Sequence, residues 1–101
     1  MTKITVKKND KIIANVEIKG HTNYNESGKD IVCASISSIV TTSINALIRL
    51  DKKIEVEIKD GYTNISILKS DEQTEILLIN MLELLKELEE IYPKNIKYKE
   101  V

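Results

Sequence analysis

His21 and Cys33 are the only histidine and the only cysteine among 101 residues, and they stand twelve positions apart. A cysteine is a nucleophile once it loses its proton, and an imidazole is the side chain best suited to accept that proton near neutral pH. Brought within reach of each other, the two could attack a carbonyl through a covalent intermediate. The apolar pattern starts directly after Asp30, so Asp30 reads as a helix N-cap and Cys33 falls in the first turn. Unpaired N–H groups and the positive end of the helix macrodipole stabilise a sulfur anion there. Gly20 and Gly28 bound the polar loop that must fold His21 back onto Cys33.

Two further residues belong to this constellation. Ser37 lies one helical turn beyond Cys33 and faces the same way, placed either to bond the sulfur, the imidazole or a substrate backbone, or to bond its own i−4 carbonyl. Asp30 either caps the helix or orients His21 as a third group. Capping is the stronger reading, because a carboxylate bonded to backbone N–H groups is less free to hold an imidazole. Spacing alone leaves the dyad open, since a lone cysteine is most often a small buried hydrophobe.

The string Gly20-His21, then Gly28-Lys29-Asp30-Ile31-Val32-Cys33-Ala34 and Ser37, resembles the signature of the ribosomal-processing cysteine protease family, Prp. The resemblance extends along essentially the whole chain and implies that His21 and Cys33 are the catalytic pair. It also implies a substrate, the precursor of a large-subunit ribosomal protein carrying a short N-terminal extension, and a homodimer. Thr22 stands where the family commonly has alanine, and Ser35 replaces the second alanine after the cysteine; both are small and remove no reacting group.

The elements that must hold these residues follow from periodicity. Ile4 and Val6 alternate with polar residues, Asn9-Asp10 marks a turn, and Ile12 to Ile18 alternate again, predicting a hairpin. The loop 21–29 carries no hydrophobic period and is either a connector or a substrate-gating lid. Residues 31–48 contain no charge, long enough to raise the question of a membrane span, but their seven Ser, Thr and Asn residues argue for a central, nearly buried helix. Asp60-Gly61 predicts a second hairpin, and Ser70-Asp71-Glu72-Gln73 has the spacing of a capping box. An apolar stripe at Leu78, Met81, Leu82, Leu85 and Leu88 predicts a second helix ending before Pro93, and Ile96 and Tyr98 a last strand.

The expectation is an α+β fold of order ββαββαβ over residues 1–101, a single cysteine protease domain whose antiparallel or mixed sheet packs with two helices. Strand order is not readable. Net charge of −1, with lysines spread along the chain, argues against direct binding of nucleic acid. One cysteine excludes an internal disulfide framework, and nothing at the start resembles a signal peptide, which fits the cytoplasm. No metal or cofactor is expected. The alternatives are a non-enzymatic ribosome-assembly module with an unreactive Cys33, and a thiol-redox protein, weakened by the lack of a resolving cysteine.

Overall fold

The computed structural model describes residues 1–26 and 30–101 and has the order ββαββαβ. The strands are β1 (Thr2–Asn9), β2 (Ile12–Lys19), β3 (Ile54–Lys59), β4 (Tyr62–Ile67) and β5 (Ile96–Glu100), with helices α1 (Ile31–Arg49) and α2 (Glu72–Ile91). The sheet runs β3-β4-β2-β1-β5. Every pairing is antiparallel except β1 with β5, so the sheet is mixed.

This order explains where the helices lie. β2 and β3 point the same way with β4 between them, and α1 makes the crossover; α2 makes the second crossover, from β4 over β2 and β1 to β5. The two crossovers travel in opposite directions along the sheet from strands of opposite sense. Right-handed connections then place both helices on the same face. Ile4, Val6, Val16, Ile18, Ile65 and Ile96 project from that face into one core with Val32, Ile36, Leu47, Leu78, Met81 and Leu85. The opposite face is polar, with Asn15, Asn64 and Ser66 hydrogen-bonded across β2 and β4 at 3.0–3.2 Å.

Three expectations shift in detail. The first turn is Asp10-Lys11 rather than Asn9-Asp10, with φ of 50° and 70°, because strand twist favours a two-residue turn left-handed at both positions. The cap of α2 is Asp71, not Ser70: Asp71 Oδ1 accepts from Thr74 N at 2.8 Å, while the Ser70 hydroxyl is buried without a partner. The helix α1 is less buried than its uncharged sequence predicts, since only Val32, Ile36, Val40, Ser43, Ile44 and Leu47 are covered. Leu50, just beyond the helix end, is exposed. By length and composition α1 could cross a membrane, but one face of it packs into the core and polar Ser and Thr residues share the other.

Each helix begins with an aspartate that reaches outside its own helix. Asp71 Oδ2 accepts from Lys52 Nζ at 2.9 Å, tying the end of α1 to the start of α2. Carboxylates of α2 also satisfy the sheet, Glu75 accepting from Ile13 N at 2.9 Å and Glu89 from Tyr98 N at 2.7 Å, which covers an N–H that edge strand β5 would otherwise present. The bond from Thr74 N, together with Lys52, holds the Asp71 carboxyl at about 2, down from the ordinary 3.8. A depressed folded-state value means that the charged cap stabilises the fold above about pH 4 and that this contribution is lost as pH falls toward 2. Asp71→Asn retains a capping oxygen and should flatten the acid limb of a urea midpoint measured from pH 5 to 2; an unchanged limb would contradict this role of Asp71.

Candidate active site

The polypeptide enters the site at the end of β2. Gly20 has φ of +100°, a Cβ there would lie 2.5 Å from the Met1 carbonyl oxygen, and its N–H donates to Gly61 O at 2.8 Å. Only glycine fits that close approach. The next residue is His21. Its neighbour Thr22 is buried at 1% exposure, with its hydroxyl donating to Asp30 Oδ2 and its carbonyl accepting from Asn95 Nδ2 at 2.9 Å.

Asp30 is the N-cap of α1, accepting from Cys33 N on Oδ1 at 2.9 Å, and Oδ2 also takes Tyr24 N at 3.2 Å. Burial raises the pKa of this carboxyl, but the bonds from Thr22 and from the N–H groups of Cys33, Tyr24 and Val32 outweigh it and the net shift is downward. Both oxygens are therefore committed, and neither contacts His21. The capping geometry expected of Asp30 is present, and it serves two segments at once.

His21, Cys33 and Ser37 line one cleft, together with Asp60. On one side of them is a polar lobe of about 530 Å3 that adds Asn23, Asn25 and Asp30. On the other is a smaller lobe of about 360 Å3 between α1 and the second hairpin, where Ile36, Val40 and Ile58 stand beside Lys59, Tyr62 and Thr63. No hydrogen bond joins the imidazole to the sulfur among the described residues, a looseness common in cysteine and serine sites without substrate. Ser37 is exposed, and its hydroxyl makes no bond to the i−4 carbonyl, unlike Ser35, Thr42 and Ser43 at 2.7–3.0 Å. It remains available in the cleft. Gly28, with the other residues of 27–29 that were expected in a gate, lies outside the described residues.

Two residues near the imidazole were read from sequence only as a turn. A Cβ on Gly61 would stand 2.8 Å from His21 Nε2, so its absence makes room for the ring, and Asp60 Oδ2 lies 3.8 Å from the same nitrogen. Asp60 is 98% exposed, so its pull on the ring is weak, on the scale of about 0–1 kcal/mol for surface pairs. Their nearness depends on Lys19 pairing with Tyr62 across β2 and β4, which no local pattern announces. Among the described residues no group of three His, Cys, Asp or Glu side chains could hold a metal ion.

The sequence matches a known family along nearly its full length: the model of the cysteine protease Prp covers residues 1–97. The chain belongs to that family of cysteine proteases. It is 34% identical over 98 residues to the ribosomal processing cysteine protease Prp of Staphylococcus aureus (strain NCTC 8325 / PS 47), covering 93% of this chain and 92% of that one. With the Bacillus subtilis (strain 168) protein of the same name it shares 27% over 106 residues, covering 96% and 95%. The crystal structure of the essential S. aureus protease with a covalently linked product peptide superposes with a TM-score of 0.94 at 30% identity, all of both chains being covered. The same enzyme with a substrate peptide gives 0.88 at 29%, again over both complete chains.

The doubly used carboxylate makes a measurable difference. Asp30→Asn keeps an oxygen for Cys33 N but has no second acceptor for Tyr24 N, so it should leave α1 capped and loosen the segment around Tyr24. Because the Asp30 carboxyl is depressed when folded, its share of wild-type stability is present above about pH 4 and lost on acidification below it. Hydrogen exchange should quicken at Tyr24 in Asp30→Asn while Cys33 and Ala34 stay protected; equal quickening at all three would mean that the cap itself had failed.

Proposed function

We propose that this chain removes the short N-terminal extension of a large-subunit ribosomal protein precursor, with Cys33 as nucleophile and His21 as general base. The observation that carries the reading is that His21 and Cys33 line one cleft, at the start of an Asp30-capped helix, in a fold that superposes on a ribosomal processing protease covalently linked to a product peptide. Extended sequence similarity to proteases named for ribosomal processing supports the substrate class.

The chemistry is acyl transfer in two steps. His21 takes the thiol proton as Cys33 Sγ attacks the scissile carbonyl; collapse of the tetrahedral intermediate breaks the C–N bond, and the amine leaves with the proton returned by the imidazole. Water, deprotonated by the same imidazole, then attacks the thioester, and the sulfur leaves as thiol after taking that proton back. With Nε2 facing Asp60, Nδ1 is the nitrogen left for the sulfur.

The oxyanion requires donors that are not already used. Cys33 N–H is bonded to Asp30 Oδ1 and Ala34 N–H to Asp30 O at 3.1 Å, so both helix-start groups are already committed. The Ser37 hydroxyl in the cleft, unpartnered among the described residues, is one available donor, and one such donor is worth about 3 kcal/mol in comparable sites. The peptide lies across both lobes, with apolar side chains in the lobe walled by Ile36, Val40 and Ile58 and polar ones beside Asn23 and Asn25.

The same reading includes a homodimer and the cytoplasm. The exposed, uncharged face of α1, with Thr41, Asn45 and Ile48, is compatible with a contact between two copies, and the one thiol is free, as a reducing compartment would keep it.

Cys33→Ala and His21→Ala should each abolish cleavage of a peptide spanning the extension, followed by mass spectrometry, with circular dichroism unchanged. Ser37→Ala should lower kcat by about a hundredfold with little change in KM, as expected for loss of a transition-state donor. Wild-type cleavage by Cys33→Ala would overturn the assignment of the nucleophile.

A further inference from the structure

His21 has little of its own to hold it in place. The ring is 57% exposed, and its charged neighbour among the described residues, Asp60, is at 3.8 Å on a 98% exposed carboxylate. The backbone on either side of it is fixed instead. Upstream, Gly20 N–H is bonded to Gly61 O at 2.8 Å. Downstream, the Thr22 carbonyl accepts from Asn95 Nδ2 at 2.9 Å, and the buried Thr22 hydroxyl donates to Asp30 Oδ2.

Asn95 is itself anchored. It stands in the turn between α2 and β5, 73 residues from Thr22 along the chain, donating its N–H to Tyr92 O at 3.0 Å and accepting Thr2 N–H on its carbonyl at 2.9 Å. The Tyr92 ring beside it meets Tyr24 edge to face, with centroids 5.3 Å apart at 76°, so the same turn grips the chain on both sides of Asn23. Neither Asn95 nor Thr22 lines the catalytic cleft.

We propose that Asn95 is a positioning residue for the protease reaction: its amide, through the Thr22 carbonyl, sets His21 toward Cys33, and the Thr22 hydroxyl closes the same clamp onto the cap of α1. This rests on the reading of His21 as general base. A base displaced by about 1 Å can lose about a hundredfold in rate with no change in the groups present. The amide is needed as a donor, so a carboxylate of the same shape at residue 95 would face the Thr22 carbonyl with repulsion. The hydroxyl at residue 22 is needed in the same way, and valine, its isostere, cannot supply it.

Because His21 is the only histidine, its imidazole gives a single set of nitrogen and proton resonances, which report ring placement whether or not a peptide is cut. Full-length Asn95→Asp, Thr22→Val and Thr22→Ser are compared with wild type in kcat and KM on the extension peptide, in urea midpoint, and in the His21 imidazole spectrum. The expected result is a tenfold to hundredfold loss of kcat in the first two, referred to folded protein, with KM within twofold, a displaced imidazole signal, and recovery of both in Thr22→Ser. An unchanged imidazole signal, or kcat within twofold of wild type in both variants, overturns the proposal. So does a kcat loss in Thr22→Val that Thr22→Ser shares. If Asn95→Asp does not fold, Asn95→Ser replaces it under the same criteria. If wild type cleaves no extension peptide, the substrate reading fails, and the imidazole signal alone decides: displacement supports the clamp and constancy overturns it.

Discussion

The site depends on one carboxylate being shared. Asp30 Oδ1 takes the N–H of Cys33, and Asp30 Oδ2 takes the Thr22 hydroxyl and the Tyr24 N–H. That sharing ties the strand end that carries the histidine directly to the helix start that carries the cysteine. An ionised carboxylate has acceptor capacity for several donors, and each charge-assisted bond is stronger than a neutral one. The downward shift of the Asp30 carboxyl expresses the same balance: the donors together outweigh the burial that would otherwise neutralise it.

Sheet topology supplies the remaining walls. Antiparallel pairing of β2 with β4 carries the Asp60-Gly61 turn to the end of β2, where Gly61 bonds Gly20 and leaves space for the imidazole. The two crossovers place α1 beside the second hairpin, and the gap between them becomes the apolar lobe. Ile58 is an inward-facing strand residue that stays 66% exposed, because β3 is an edge strand reaching past the cover of the helices. The lobe is therefore a consequence of a sheet wider than its helical layer.

Much of this was legible in the sequence because it is local. Strand alternation, the Asp60-Gly61 turn, the stripe of α2 and the stop before Pro93 all arise from neighbours within a few residues, as does the Asp30 cap. The resemblance around Gly20-His21 and Asp30-Ile31-Val32-Cys33 then gave the family. What was not legible depends on pairing between distant segments. Asp60 and Gly61 reach the cleft only through β2–β4 register, and Asn95 reaches the Thr22 carbonyl only because β5 returns beside β1. The cap of α2 moved by one residue because Ser70 and Asp71 both suit the role, and Lys52, from the end of α1, favours the aspartate. The lack of charge in α1 suggested deep burial, but serines and threonines bonded to their own i−4 carbonyls can face water without it.

The parallel pairing of β1 with β5 joins the first strand of the sheet to the last. Asn95 immediately precedes β5 and bonds both Thr2 and Thr22. During synthesis, His21 and Cys33 leave the ribosome long before the segment that completes their surroundings, and contacts of such high sequence separation form late. A nascent chain lacking β5 carries both side chains yet has neither the sheet edge nor the turn that frames them. The sheet edge and the turn that fixes the backbone beside His21 are thus supplied by the last strand and the residue before it.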